Sequence, residues 1–434
     1  MPVKTLRPFV VSILIVALGL ALGFTRCHRR AAQNNPAPLP TQAAAPAITA
    51  SNPEAQTYAE NIGSLLNRLE VRPPITSGNL TVFPVALTGA APANDLVTLQ
   101  EALKSGELVI QEEGEGNVPT LQATVKTDRP MFLMAGEVIV GARQDRVLAH
   151  DVLLEPGSRE LALPVYCVEP GRWNSISPNF SDAGFAANGK VRSTVVQKGS
   201  QGTVWKKVGE VNAASGKEAQ GSLRQSYDDE QLKKDREAYL AAVGSVPGPG
   251  VVGAVVAIDG KLQNADVFAS PALFAALWPK LSESYAQDAL QARAPAAGAA
   301  APAAPPAPTA DQAREYLAST LDADYKEYNN PGSGAEFAFT GQDKAGSVIL
   351  REKSIVHLAI FPEEQRPPVA AVPNLSMQGN LVLEPTAGGT ASAPNRPMSN
   401  PNQAEQVQQL MDGPGPRSDV YKDKGMQFQI KKKP

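Results

Sequence analysis

The chain has 434 residues, of which 43% are hydrophobic and 6% aromatic. Its 40 lysines and arginines are offset by 43 aspartates and glutamates, so the formal charge is -3 and the broad basic surface of a general nucleic-acid-binding protein is excluded. Two cysteines cannot form a disulfide framework, and three widely separated histidines do not make a histidine-rich metal site. The 38 prolines are clustered, which predicts linkers and tails around one folded unit.

Residues 1–30 are predicted to be a membrane anchor or signal segment. Phe9 to Phe24 read FVVSILIVALGLALGF without a charge, and as a helix this run is about 24 Å long against a hydrocarbon core of about 30 Å. Basic residues flank the run on both sides, and long basic side chains let a short helix span a membrane. We expect an uncleaved single-pass anchor with the main domain on the extracytoplasmic side. The alternative is secretion after signal cleavage.

Two stretches rich in alanine and proline divide the remainder. Residues 31–52 lack an apolar period and predict a linker. Residues 53–362 are predicted to form a single α+β domain that carries a disordered Ala/Pro insertion at 294–310. The strands after this insertion are too few for a separate domain, so they are expected to return to the main body. Residues 363–434 have few apolar side chains and predict a disordered tail.

The first half of the domain is mainly strand-like. A helix is predicted over 53–69, followed by strands at 80–85, 107–113 and 121–126 and a short helix at 99–104. Short apolar runs between 131 and 173, broken by glycines and a Pro-Gly turn, predict largely antiparallel strands. Residues 174–221 are rich in serine, glycine, asparagine and glutamine and are interpreted as a long loop, with helix near 204–211.

The second half alternates helices and hairpins. Helices are predicted over 223–243, 271–290 and 312–328, and a hairpin over 251–268 turns at Asp259-Gly260. Three further strand-like segments end at Phe361. The predicted fold class is therefore α+β, with a mainly antiparallel β sandwich or roll core, several peripheral helices and one apolar N-terminal anchor helix.

Candidate binding residues lie between Gly136 and Trp173. Arg143 and Arg146 can form a fork for a carboxylate or phosphate, although a polar turn in which they pair with nearby acids explains them as well. Arg172 and Trp173 follow a Pro-Gly turn, where they can hold a phosphate and stack a base. The alternative is that Trp173 closes the edge of the core and that Arg172 pairs with Glu169.

Cys167 ends a strand in which three apolar residues share its face. This position favours a buried, inert thiol over a nucleophile, and no histidine is placed beside it. The sequence contains no Gly-rich phosphate loop, nucleophile elbow or HExxH motif, so no cofactor and no metal are expected. Catalytic candidates are limited to Glu137, Glu169 and Cys167.

The stretch GEVIVGARQDRVLAHDVLLEPGSRELALPVYCVEPGRW, residues 136–173, resembles a bacterial domain family, the ADP-ribosylglycohydrolase and rhodanese-phosphatase-associated protein domain. DVFASPALFAALWPKLSESYAQDAL and IVHLAIFP also fit, so the resemblance covers residues 59–362. It implies one domain and an association with enzymes that process ADP-ribose, without defining an activity. The residues that match its motif are Glu137, Gly141, Gln144, Arg146, Cys167, Glu169, Arg172 and Trp173.

These observations predict a membrane-anchored extracytoplasmic binding or interaction module of the bacterial envelope. Its expected partners are the membrane through residues 9–24, an envelope protein or a nucleotide-like small molecule, and not nucleic acid. The alternative is an enzyme or sensor acting on a nucleotide derived from ADP-ribose or NAD, with Glu137 or Glu169 as base. In either case the predicted ligand-binding residues are Arg143, Gln144, Arg146, Arg172 and Trp173.

Overall fold

The computed structural model describes residues 61–114, 116–293, 306–341 and 343–363. The predicted anchor, the 31–52 linker, most of the 294–310 insertion and the tail from residue 364 lie outside these ranges. Within them, no helix combines the length and the apolar character that crossing a membrane requires.

The strands of the described ranges are, in chain order, β1 (Leu69–Val71), β2 (Ile75–Ser77), β3 (Leu80–Leu87), β4 (Val97–Thr98), β5 (Leu108–Glu112), β6 (Thr120–Val125), β7 (Met131–Leu133), β8 (Glu137–Gly141), β9 (Arg146–Leu148), β10 (Val152–Leu154), β11 (Leu161–Cys167), β12 (Phe180–Ala186), β13 (Val251–Ile258), β14 (Lys261–Phe268), β15 (Asp324–Tyr328), β16 (Ala335–Gly341), β17 (Lys344–Arg351) and β18 (Ser354–Pro362). The helices are α1 (Leu99–Ser105), α2 (Gly189–Val196), α3 (Gln201–Ala214), α4 (Gln225–Asp228), α5 (Glu230–Val243), α6 (Pro271–Arg293) and α7 (Ala310–Ala318), with a 3-10 turn at Ser319–Asp322. Residues 61–66 are also helical.

A nine-stranded antiparallel sheet combines strands from three distant parts of the chain. Its order is β1-β3-β13-β14-β18-β17-β16-β15, and β2 pairs with β3 as well. Phe83 of β3 lies opposite Val255 of β13, and Ala265 of β14 lies opposite Ile360 of β18. The strands after the Ala/Pro stretch therefore return to the main body, as the sequence predicted.

Helices cover both faces of this sheet. Because side chains alternate along a strand, Val256 faces the buried side of α6, where Phe274 and Leu281 pack, while Val255 faces the opposite way. On that opposite face Tyr316 of α7 packs in the same cluster. The prediction of a mixed α+β fold with antiparallel sheets is confirmed. The structure differs from the expected sandwich or roll, because the nine-stranded sheet packs between helices. Apolar side chains of α6 and α7 complete the hydrophobic core on its two faces.

The motif stretch lies in a second sheet of order β12-β8-β9-β11-β6-β5. One face packs on α1 and on a small sheet, β10-β7-β4, in which β4 and β7 are parallel. The other face packs on valines of α2 and α3 that recur at helical spacing, namely Val191, Val195, Val204, Val208 and Val211. Helix α1 begins with a capping box formed by Thr98 and Glu101.

The segment 174–221, interpreted as a loop from its polar composition, forms β12 and α2, and the helix predicted near 204–211 is α3. Strand β12 carries Phe180 and Phe185 on either side of a register shift, so its alternation is hidden in the sequence. The helix predicted over 312–328 ends at Ala318, and Asp324–Tyr328 pairs instead with β16. The helix predicted over 223–243 is divided into α4 and α5, and the predicted 53–69 helix gives way to β1 at Leu69. The remaining predicted helices and strands are confirmed within a few residues.

Candidate functional site

A four-residue loop between β8 and β9 presents the central residues of the motif. Gly141 precedes it with φ 129°, and a Cβ there would lie 2.6 Å from Ser177 Oγ. A glycine is therefore required for the loop to approach the 175–179 segment. Ala142 also adopts a positive φ, 40°. This turn leaves Arg143 partly exposed and buries Gln144, Asp145 and Arg146.

Arg143 and Trp173 form a partly exposed cation–π pair. The Arg143 guanidinium carbon lies 5.5 Å from the indole centroid. Within the described ranges the guanidinium has no hydrogen bond or ion pair, and only the Arg143 backbone N–H donates, to Glu112 Oε1 at 3.0 Å. Gly116, at φ 108°, lies directly against the pair, because a Cβ at this position would be 2.7 Å from Arg143 Cδ.

Arg143 lines an open pocket of about 320 Å³. The other lining residues are Gln111, Glu112, Gly114, Ala142, Ser175, Ser177 and Pro178. Ile176, between the two serines, is 63% exposed. The pocket thus combines a carboxylate, hydroxyl and amide groups, and a cation that has no ion pair among the described residues and lies against the indole ring of Trp173.

Behind this pocket lies a fully buried arginine. Arg146 Nη1 donates to Gln144 Oε1 at 3.2 Å, and Nη2 lies 3.9 Å from Glu112 Oε1. Arg146 Nε and Nη2 and Glu112 Oε2 have no hydrogen-bond partner among the described residues. Buried donors and acceptors without partners are costly. Arg146 therefore provides buried positive charge beneath Glu112.

Cys167 is adjacent to this buried group. It is fully buried, and burial raises the pKa of its thiol, which disfavours the thiolate that a nucleophile requires. Gln201 bonds both to its N–H and to its carbonyl, each at 2.9 Å. These contacts attach α3 to the end of β11.

Glu169 and Arg172 brace the motif loop. Arg172 Nη2 lies 2.7 Å from Glu169 Oε2 and 3.1 Å from Asp145 Oδ1, and Nη1 donates to the Ala142 carbonyl at 2.7 Å. Burial, followed by the nearby Glu169 carboxylate, raises the pKa of Asp145. The structure thus pairs Arg172 with Glu169, which was the alternative to phosphate binding.

A second pocket of about 260 Å³ opens beside this brace. It is lined by Asp145, Glu169, Ser222, Arg224, Gln225 and Asp228. Arg224 is already bound to Asp228, with Nη2 2.7 Å from Oδ2. The charges of this pocket are therefore largely paired with one another.

Glu137 does not join either pocket. It is fully buried, accepts from the Met134 N–H at 2.8 Å and forms an ion pair with Lys280 Nζ at 2.6 Å. Lys280 also contacts Asp182. Burial raises the pKa of Glu137. This arrangement attaches α6 to the edge of the six-stranded sheet.

A fully buried charge network connects the two larger sheets. His357 Nδ1 lies 2.7 Å from Asp151 Oδ2, and its Nε2 lies 3.1 Å from Asp266 Oδ1. Arg192 Nη2 donates to Asp266 at 2.6 Å, and Tyr285 donates to the same carboxylate. Burial by itself lowers the pKa of His357, but the two carboxylates raise it to about 9. The group is thus an imidazolium at neutral pH, without contact with solvent.

The structure therefore divides the predicted site. Arg143 and Trp173 lie together at the larger pocket with Arg146 and Gln144 behind them, while Arg172 and Glu169 brace the loop and Glu137 is elsewhere. Sequence reasoning missed Glu112, Gly116, Ser175 and Ser177. Glu112 ends β5 and Gly116 follows it, about thirty residues before the loop, whereas Ser175 and Ser177 follow Trp173 closely in a segment that composition marked only as a loop.

These features define an α+β domain in which a short loop of an antiparallel sheet presents at an open pocket an arginine that lies against a tryptophan from another connection. Residues 68–361 match the ARPP-1 domain family, the ARG and Rhodanese-Phosphatase-superfamily-associated Protein domain. The chain belongs to this family. Comparisons with curated proteins and with solved structures find no match.

Proposed function

We propose that the chain is a binding module for a small ligand that carries both an anionic group and a planar ring, held at the membrane with its domain on the extracytoplasmic side. The observation that carries the proposal is the Arg143 guanidinium, which stacks on Trp173 at the 320 Å³ pocket and has no ion pair within the described ranges.

The charge of the pocket supports an anionic ligand. The guanidinium can donate two parallel hydrogen bonds to a phosphate or carboxylate. Glu112 lines the same pocket, but the Arg143 N–H and the buried Arg146 offset its negative charge. The local balance of Arg143, Arg146 and Glu112 is one net positive charge.

Trp173 supports a ligand with a planar ring. An indole offers a flat apolar surface on which a base can stack, and stacking of a base on an aromatic side chain contributes about 1–3 kcal/mol. A ring and a phosphate together describe a nucleotide. The association with ADP-ribosylglycohydrolases that the family name suggests makes ADP-ribose the first nucleotide to test.

The contacts of the acidic candidates favour binding over turnover. Glu169 accepts from the Asp145 N–H at 3.0 Å and forms an ion pair with Arg172. Protonation of the Glu169 carboxylate would therefore break the ion pair that holds the motif loop. Cys167 is buried with a raised thiol pKa. An enzyme acting on ADP-ribose or NAD remains the alternative, and turnover during the binding assay would establish it.

The proposed placement depends on the uncharged run at residues 9–24 and its basic flanks. A run of this length with long basic side chains at both ends is compatible with a single membrane pass.

The test is calorimetric titration of the full chain in detergent with ADP-ribose, AMP and inorganic phosphate. We expect ADP-ribose to bind, and Arg143→Ala to weaken it about tenfold or more, because a charge-assisted hydrogen bond contributes about 1.5–3 kcal/mol. Trp173→Ala should weaken ADP-ribose and AMP but leave phosphate unchanged.

Arg129→Ala is the matched control. It removes an exposed arginine that pairs with Glu107 on another part of the same sheet, and it should leave affinity unchanged. Equal weakening by Arg129→Ala and Arg143→Ala, or no binding of any of the three ligands, would reject this pocket as the nucleotide site.

A further inference from the structure

A second cluster of reactive side chains lies apart from the motif loop. His150 follows β9, Lys198 follows α2, Tyr328 ends β15 and Glu336 lies in β16. The side chains of His150 and Lys198 are 13% and 15% exposed, whereas that of Glu336 is 1% exposed. Solvent therefore reaches the imidazole and the ammonium, and the carboxylate lies beneath them.

The contacts orient the imidazole. His150 Nδ1 lies 2.5 Å from Glu336 Oε2, which also accepts from Asn330 Nδ2 at 3.1 Å. Because a carboxylate only accepts, the 2.5 Å contact with Glu336 places the proton on Nδ1. The Lys198 ammonium, which is a donor only, then lies 2.8 Å from Nδ1 without a hydrogen bond to it. Nε2 is then the basic nitrogen of the ring. Its contact among the described residues is Lys198 Nζ at 3.4 Å.

The lysine is held over the same ring by a strained backbone. Lys198 Nζ lies 2.8 Å from His150 Nδ1 and 5.0 Å from the Tyr328 ring centroid. Two further contacts are long, 3.3 Å to the Ala149 carbonyl and 3.5 Å to Glu336 Oε1. Lys198 has φ 57°, a left-handed conformation in which glycine or asparagine is usual at the end of a helix. An anion would compete with these two long contacts for the ammonium.

The charged groups around His150 come from every element packed against it. Lys198 comes from the end of α2, Lys326 lies over Tyr328 on β15, Glu336 comes from β16, and Asp151 follows in the chain. Burial and then Lys198 lower the pKa of His150, while Glu336 and Asp151 oppose the shift. Burial and the neighbouring ammonium group therefore both disfavour the charged imidazolium.

We propose that Lys198 and His150 form a binding site for a small oxyanion, a phosphate or carboxylate group, and that binding is coupled to uptake of a proton by His150. The anion accepts from the ammonium and offsets its repulsion of the imidazolium. Nε2 then takes a proton from solvent and donates it to the anion, while Nδ1 continues to donate to Glu336. Binding is consequently tighter at lower pH.

The test is calorimetric titration of the full chain with inorganic phosphate near pH 7, in two buffers that differ in ionisation enthalpy. The difference in heat gives the number of protons taken up. We expect net uptake of a fraction of one proton in the wild type. His150→Gln should bind phosphate more weakly with no uptake from this site.

Lys198→Gly removes the ammonium and also relieves the left-handed strain, which offsets part of the cost of leaving the buried Glu336 carboxylate without this cation. We expect affinity for phosphate to fall about tenfold. Glu352→Gly is the matched control, because Glu352 has the same φ of 57° in an exposed turn. It relieves equivalent strain without removing a cation and should leave affinity and proton uptake unchanged.

Three results would overturn the proposal: no phosphate binding, unchanged affinity in Lys198→Gly, or equal proton uptake in the wild type and His150→Gln. Arg143→Ala separates this site from the nucleotide pocket, since it should leave the Lys198-dependent binding and its proton uptake intact.

Discussion

At the residue scale, the role of each motif side chain follows from the hydrogen bonds and ion pairs that it makes within the protein. Arg172 contacts two carboxylates and three backbone carbonyls, so its hydrogen-bond donors are used within the motif. Arg143 has only the Trp173 ring as a side-chain contact in the described part of the chain. Arg143 and Arg172, which are 29 residues apart, thus have the same chemistry and different roles. The distinction is made by neighbours that the sequence does not place.

The buried imidazolium of His357 predicts how stability varies with pH. Its pKa is raised from 6.5 to about 9, so its stabilising contribution is complete below pH 6.5 and is lost as pH rises through about 9. We expect the free energy of unfolding, measured with urea, to fall by about 3 kcal/mol between pH 6.5 and 9.5.

The control for this measurement is His150→Gln. Because the pKa of His150 is lowered, its titration lies below this window and the variant should show the same fall. A wild-type stability that does not change between pH 6.5 and 9.5 would contradict the assignment of a buried imidazolium. His357→Gln should be destabilised by about 3–5 kcal/mol, since it leaves buried carboxylates without their cation.

At the element scale, local chemistry determined some elements and tertiary pairing determined others. Thr98-Leu99-Gln100-Glu101 has the spacing of a capping box, and α1 begins there. Asp324–Tyr328 has helix-compatible composition, but pairing with β16 makes it a strand. The capping box therefore located the start of a helix correctly. Composition did not decide whether a short, polar segment at a sheet edge is a helix or a strand.

The hairpin of β13 and β14 provides a test at this scale. Asp259 and Gly260 have φ 48° and 71°, the left-handed values of a two-residue turn. We expect Gly260→Ala to lower the free energy of unfolding by about 1 kcal/mol, because alanine is strained there.

Gly248→Ala is the matched control. Gly248 does not have a left-handed φ, and a Cβ there meets no atom within 4 Å. Urea unfolding should show this variant unchanged or slightly more stable. Equal effects of the two substitutions would contradict the strained turn.

At the scale of the whole molecule, the nine-stranded sheet explains why the Ala/Pro stretch near residue 300 does not separate two domains. Strand β18 pairs with β14 across that stretch, and His357 of β18 bonds to Asp266 of β14. The buried network extends to Asp151, next to His150 in the motif. The C-terminal hairpins are thus part of the core that supports the motif sheet.

The proposed membrane placement is also testable at this scale. We expect the full chain to sediment with membranes, and protease added to spheroplasts to digest the domain while a cytoplasmic marker survives. Leu18→Arg should release the chain, because an arginine at the centre of a spanning helix costs about 2.5 kcal/mol or more. Leu18→Ile is the control and should stay with the membrane. A domain protected from protease in spheroplasts would contradict the extracytoplasmic placement.

The sequence by itself determined the α+β class, the hairpin turn, the return of the last strands and the stretch that carries the motif. These depend on period, turn chemistry and strand count, which are local properties. Only the tertiary structure decided that Arg143 has no ion pair among the described residues whereas Arg172 has two, that Glu137 pairs with Lys280 of α6, and that Lys198 lies against His150. Each of these depends on which distant segment packs against a residue. Burial and charge pairing are properties of that packing, so a single sequence does not specify them.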